Sequence, residues 1–258
     1  MLKEIISNKS VAIVGPSPHL EGQGLGNKID NFDLVIRVNQ LTCENKKDYG
    51  ERTDIAFLTL TEEACEIYLK EIKRNLEEVK EIKLIVHPRH SRNKDIFSKE
   101  INSSNEDIFN LYSSLKLNNK FIHLGDEGFV KKCNEIKSFP TTGTLAILNT
   151  LESGCSELFI SGFSFFFTKY RYSKDRVQLL KDINRPRASY IGMAGHDIIN
   201  EINYLRNLLQ GNKSVSGDNF FNKVIKKNRM FLFRFSYYYK HYFSLKKVIN
   251  YIKKQIQH

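Results

Sequence analysis

Short apolar runs rich in Val, Ile and Phe recur along the chain, at Val11 to Val14, Leu34 to Val38, Asp54 to Leu60, Lys83 to His87, Phe121 to Leu124 and Leu158 to Ser161. Each has the length of a strand buried on both faces. Between several of them the pattern shifts to a helical period, over Glu62 to Lys80, Thr144 to Glu152 and Asp197 to Gln210, with Gly211 ending the last. Strands alternating with helices predict an α/β fold with a mostly parallel sheet and helices on both faces. Such sheets take ligands beyond the carboxyl ends of their strands, so Pro16 to Gly26, Gly125 to Glu127 and the stretch from Phe163 are candidate site segments. From Phe163 to Gly195 the period dissolves into aromatic and basic residues, too long a stretch for a plain connection; it reads either as a lid or as a surface excursion.

The chain has 258 residues, of which 41% are hydrophobic, enough for one large domain with a real core. Its net charge of +11 points at first to nucleic acid or a membrane. From Lys223 to His258, however, there are ten Lys and Arg and no Asp or Glu, so almost all the excess sits in the tail. The predicted organisation is therefore a domain over residues 1–222 and a basic aromatic tail over 223–258. The four cysteines, Cys43, Cys65, Cys133 and Cys155, show no metal-ligand spacing and suit a reducing compartment. Residues 1–9 lack a secretory core, and no run of 18 apolar residues occurs, so a cytoplasmic location is expected.

The first strand runs into Gly15-Pro16-Ser17, followed by Gly22, Gly24 and Gly26. That spacing does not make the GxGxxG of an ordinary dinucleotide site. A turn of backbone N–H groups with Ser17, together with a helix starting after Thr141-Thr142-Gly143, could hold a single phosphate. Taken alone, the threonines also fit a plain helix N-cap after Pro140. No DxD pair of the kind that holds a metal against a diphosphate is present, so neither a metal nor another cofactor is expected. His196 stands at a helix start, where the positive helix end favours a neutral imidazole able to act as a base. Glu201, on the same helix, either orients the site or serves structure. His19, His87, His90 and His123 are further ligand candidates, His123 with Asp126 because both lie at a carboxyl edge.

Three segments together resemble the sialyltransferases of glycosyltransferase family 29. The stretch from Val11 through Gly15, Ser17, Ile29-Asp30, Asp33 and Arg37-Val38-Asn39 is similar to that family's large sialylmotif. PTTGTLAILNTLESGCSELFISGF, Pro140 to Phe163, is similar to its small sialylmotif, and His196 with Glu201 to its HxxxxE motif. The resemblance implies a Rossmann-like glycosyltransferase fold over roughly residues 10 to 210. It implies a CMP-sugar donor held by Gly15, Pro16, Ser17, Asn39, Thr141, Thr142, Gly143, Gly162, Phe163 and Ser164, with His196 as the base. It implies transfer of sialic acid, or of a related ulosonic acid such as Kdo, to a glycan or glycolipid hydroxyl. Inversion is expected, because Ser164 is no carboxylate nucleophile; Asp126 is the carboxylate a retaining route would use. Two departures stand out: Pro16 replaces the family's donor-contacting Asn, and Val11 replaces one Cys of the family's disulfide, leaving Cys155 alone. The aromatic-flanked His expected before HxxxxE is not recognisable; Tyr170, Tyr172, Arg185 and Arg187 stand in that region and are expected to hold the leaving phosphate from a lid over about 163–195.

The tail interleaves cations with Phe and Tyr. That composition suits an anionic membrane surface, which would place the protein on the inner face of the cytoplasmic membrane; single-stranded RNA or packing on the domain are its other readings. A non-catalytic RNA- or membrane-binding protein on a nucleotide-binding fold is the rival from another class, although no nucleic-acid partner is expected.

Overall fold

The computed structural model describes residues 1–59, 62–88, 120–124, 126–165 and 196–226. Seven strands, β1 (Ser10–Val14), β2 (Leu34–Val38), β3 (Ile55–Phe57), β4 (Leu84–His87), β5 (Phe121–His123), β6 (Glu157–Ser161) and β7 (Val215–Gly217), form one sheet in the order β5-β4-β3-β2-β1-β6-β7. Every pair is parallel. The chain lays strands outward from β1 to β5, then returns to add β6 and β7 on the other side. The order thus reverses between β1 and β6, which opens a crevice at their carboxyl ends. Val14 is in register with Ser161, so Gly15 and Gly162 meet one residue beyond the strands.

Nine α-helices are described: α1 (Leu2–Ile6), α2 (Gly26–Asp30), α3 (Lys46–Tyr49), α4 (Glu62–Arg74), α5 (Leu76–Glu81), α6 (Asp126–Ile136), α7 (Thr142–Glu152), α8 (Ile198–Leu209) and α9 (Asn219–Ile225). Strand side chains alternate between the two sheet faces. Val11 and Ile13, Ile55 and Phe57, Leu158 and Ile160 join Leu2 and Ile6 of α1, Ile147 of α7, Ile202 and Leu205 of α8 and Phe221 of α9 in the main buried cluster. On the other face Ala12, Val14 and Phe159 pack with Ile29 of α2 and Tyr49 of α3, while Ala56 and Ile85 pack with Tyr68 and Ile72 of α4 and Val79 of α5. Both faces are covered, which is why the strands read as continuous apolar runs.

All six expected strands form. β7 was not foreseen, since Val-Ser-Gly is too short to show a period. The single helix expected over Glu62 to Lys80 breaks at Asn75, whose backbone leaves the helical region and whose side chain donates to Thr42 Oγ1 at 3.0 Å. α9 crosses the 222/223 boundary drawn from charge: Val224 and Ile225 are buried in the core, so the basic segment begins inside a packed helix. Residues 227–258 lie outside the described residues. Among the described residues, no helix is long and apolar enough to cross a membrane.

Candidate active site

The crevice between β1 and β6 is closed at its floor by two glycines. Gly15 N–H donates to the Ser161 carbonyl at 2.8 Å, and Ser17 N–H to the Gly162 carbonyl at 3.1 Å. A Cβ on Gly15 would meet Gly162 O at 2.4 Å, and one on Gly162 would meet Gly15 O at 2.2 Å. Gly162 also sits at φ +73°, so its site excludes side chains on two grounds. A Cβ on Gly143 would strike the Phe163 ring at 2.5 Å. Backbone approach thus joins the ends of β1 and β6 to the start of α7.

At that start, Thr141 is the N-cap and its Oγ1 accepts the Thr144 N–H at 3.2 Å. The first-turn N–H groups of Thr142 and Gly143 have no acceptor within the helix. Thr142 and Ser164 are buried, at 4% and 7% exposure. Asn39, at the end of β2, takes the left-handed conformation with φ 55°. Its Oδ1 accepts from Thr59 N at 3.0 Å and Tyr68 OH at 3.4 Å, which leaves its amide nitrogen as the donor for a ligand.

His196 lies two residues before α8, with Asp197 as the N-cap that accepts from Ile199 and Asn200 N–H. His196 Nδ1 is 2.5 Å from the Phe139 carbonyl. A carbonyl only accepts, so Nδ1 carries the proton and Nε2 is the basic nitrogen of the neutral ring. Glu201, 1% exposed, reaches His196 Nδ1 at 3.9 Å through Oε1. Its Oε2 accepts from Thr141 N at 3.0 Å, Thr141 Oγ1 at 2.8 Å and Thr144 Oγ1 at 2.5 Å. The carboxylate therefore fastens α8 to the first turn of α7, a positioning task that sets His196 beside it.

The first two motif segments meet directly through the glycines, and the third joins them through Glu201. Asp126 is not brought to this crevice: it starts α6 after β5, the edge strand four places from β1, or about 19 Å in sheet spacing. Tyr170, Tyr172, Arg185 and Arg187, with the lid assignment beyond residue 165, lie outside the described residues, as does His90. His87 is buried, stacked on Phe121 with Nδ1 3.2 Å from the Leu58 carbonyl, a core histidine. Cys155 is half-buried and burial raises its thiol, which suits packing over reactivity. Among the described residues, no group of three or more His, Cys, Asp or Glu side chains is placed to hold a metal ion.

Three residues to which sequence reasoning assigned no task shape the site. Arg37, fully buried on β2, donates to the carbonyls of Tyr49, Gly50 and Arg52 and to Thr53 Oγ1, and so ties down the loop behind α3; burial pushes its guanidinium below its ordinary value. Asp48 accepts Gly22 N–H at 2.8 Å and Gly24 N–H at 2.7 Å and so anchors the loop after β1. Burial alone would raise this carboxyl, but those bonds and one from Asn45 outweigh it and hold it below 3.8. Asp218, the N-cap of α9, accepts from Gly162 N–H and from His19. The only signal for it was an Asp ahead of an apolar helical run.

A family model, glycosyltransferase family 29 (sialyltransferase), matches residues 6–213. Among solved structures, the monofunctional α-2,3-sialyltransferase Cst-I of Campylobacter jejuni matches with a TM-score of 0.52 at 16% identity, covering 82% of this chain and 77% of that one. The sialyltransferase CstII of Campylobacter jejuni, solved with cytidine 5′-monophosphate, matches with a TM-score of 0.50 at 18% identity, covering 82% and 80%. These likenesses are of fold. Comparison with curated protein sequences gives no match.

Proposed function

The chain belongs to glycosyltransferase family 29, the sialyltransferases, and from that premise we propose that it moves sialic acid, or a related ulosonic acid, from a CMP donor to a hydroxyl of a glycan or glycolipid. The observation that carries this reading is the convergence of three distant segments, Gly15 to Ser17, Thr141 to Gly162 and His196 to Glu201, on the crevice between β1 and β6. CstII was solved with CMP, which supports the same nucleotide here.

In this reading the donor phosphate sits at the turn after β1, facing the first-turn N–H groups of α7, with Asn39 and Ser164 as further donor contacts. The acceptor oxygen bonds to the anomeric carbon as the bond from that carbon to the phosphate oxygen breaks. The acceptor proton passes to His196 Nε2, and CMP departs with the electron pair. Glu201 holds the imidazole and stabilises the imidazolium that forms. A single displacement inverts the anomeric centre. The helix terminus and the lid cations Arg185 and Arg187, with Tyr170 and Tyr172, take the place of a metal, so transfer should survive EDTA; loss restored by magnesium or manganese would contradict this.

The basic tail is proposed to hold the enzyme on an anionic membrane surface, where lipid-linked glycans are the acceptors. Because Val224 and Ile225 belong to the core, the segment to remove is 227–258. That truncation should abolish salt-sensitive co-sedimentation with anionic vesicles and keep transfer to a soluble acceptor; RNA binding without vesicle binding would refute it. The reading as a whole is tested by incubating the protein with CMP-sialic acid and CMP-Kdo, with and without glycan acceptors, and measuring CMP release. Acceptor-dependent release from CMP-sialic acid is expected. Release from CMP-Kdo alone would change the sugar assigned, and release from neither would refute the reading.

A further inference from the structure

The start of α8 is bound residue by residue to the turn between α6 and α7. Lys137, left-handed at φ 57°, follows the last residue of α6 and turns the chain back. Its carbonyl accepts from Asn200 Nδ2 at 3.1 Å, Ser138 Oγ accepts the Asp197 N–H at 2.6 Å, and the Phe139 carbonyl accepts from His196 Nδ1 at 2.5 Å. Three consecutive residues of the turn therefore fix where Phe139 stands relative to His196. The Phe139 carbonyl has this task; its side chain has none in the transfer described above.

That side chain is 45% exposed, although it is a phenyl ring. Behind it lies the Phe129 ring of α6, 6.3 Å away between centroids and 15° from parallel, so the ring is held with part of its surface open. A single exposed apolar side chain is ordinary on a protein surface. This one differs in being one hydrogen bond from the proposed base. An acceptor that gives its proton to His196 Nε2 has to bring a hydroxyl within hydrogen-bond reach of that nitrogen, which sets the rest of the same sugar beside the turn. A pyranose carries hydroxyls at its edge and C–H bonds on its faces, and those weakly positive C–H groups pack on the negative face of an aromatic ring. Near the ring in sequence, Asn134, Glu135 and Lys137 are polar and exposed, which suits the hydroxyl edge of a sugar better than a lipid chain.

We infer that the Phe139 ring is the platform on which the acceptor sugar stacks while its hydroxyl faces His196, so that Phe139 selects acceptors with an open C–H face beside the reacting hydroxyl. The inference deepens the proposed transfer on its acceptor side and rests on it.

The test follows CMP release from the CMP-sugar that the wild-type protein accepts, as acceptor concentration is varied. The acceptor is whichever methyl glycoside of galactose, N-acetylgalactosamine or sialic acid the wild type uses best. Phe139→Ala should raise the acceptor KM about tenfold, with kcat, donor KM and the CMP dissociation constant within about twofold of wild type, because the carbonyl that holds His196 is main chain. Phe139→Tyr keeps the ring and should keep the acceptor KM. Phe139→Leu keeps apolar contact with Phe129, serves if the Ala variant melts early, and should raise the acceptor KM by about threefold or more. An unchanged acceptor KM in the Ala or Leu variant overturns the platform and leaves the transfer standing. A defect confined to kcat, which would mean that the ring only braces the turn beneath His196, overturns it as well. Failure of the wild type to use any of the three glycosides removes the glycan acceptor and the platform with it, while CMP binding would still speak for the donor site.

Discussion

The two sides of the crevice are built differently. On the side of β1, backbone meets backbone: Gly15 lies against Gly162, and two buried carboxylates hold main-chain N–H groups, Asp48 those of Gly22 and Gly24 in the loop and Asp218 that of Gly162 after β6. On the side of α8, His196 is placed by the Phe139 main-chain carbonyl and by one side chain, the Glu201 carboxylate, that is shared with the cap of α7. In the proposed transfer the difference separates two tasks. A surface that receives a phosphate has to be formed before the ligand arrives, and main-chain contacts that no rotamer can relax make it so. A base that takes a proton needs a fixed ring with the correct nitrogen deprotonated, which one carboxylate and one carbonyl can supply.

Breaking the first side should cost the fold itself. Gly162→Ala forces a Cβ onto the Gly15 backbone at positive φ and is expected to lower stability by about 3–5 kcal/mol, seen as a much lower melting temperature or as insoluble protein. A variant that melts like wild type would show that the close approach is not required. Breaking the second side should be milder for the fold and harder on turnover. Glu201→Gln exchanges one acceptor oxygen for a donor amide in a buried cluster, so about 1–3 kcal/mol of stability should go, with turnover falling at least tenfold. Equal loss of CMP affinity and turnover would erase the distinction between the sides.

Thr142→Ala and Asn39→Ala test the receiving surface without touching its backbone. Each should weaken CMP by about tenfold; Thr142→Ala should leave the melting temperature near that of wild type, while Asn39→Ala, which also strands Thr59 N–H at a left-handed backbone position, should cost about 1–3 kcal/mol of stability. The smallest effect concerns acid. Asp48 has a lowered folded-state pKa, so its contribution to stability is complete above its unfolded value near 3.8 and is lost as pH falls below it. Hydrogen exchange at Gly22 and Gly24 should therefore rise below about pH 4 before the sheet opens, and Asp48→Asn should remove that step.

How far these features could be read in advance follows the range of the forces involved. The strands were legible because a sheet covered on both faces imposes uninterrupted apolar runs, and α8 because Asp197 caps it and Gly211 ends it. Helix α4 was overextended because Asn75 leaves the helix for a partner 33 positions away in sequence, Thr42. The turn after β1 and His196 were legible as positions of family motifs, while the partners of Glu201 were not, since they lie on α7, 57 and 60 positions back. His19 and Asp218 are 199 positions apart and share no period; only the sheet order, which sets β7 beside β6, makes them neighbours.

In the proposed transfer His196 takes the acceptor proton while the turn after β1 holds the nucleotide. The direct measurement pairs turnover with CMP affinity for wild type and His196→Ala, using CMP-sialic acid and a soluble glycan acceptor. Turnover should fall by about 10²- to 10⁴-fold while the CMP dissociation constant stays within about twofold. Near-normal turnover in His196→Ala, or a loss of CMP binding that accounts for the whole defect, would contradict it.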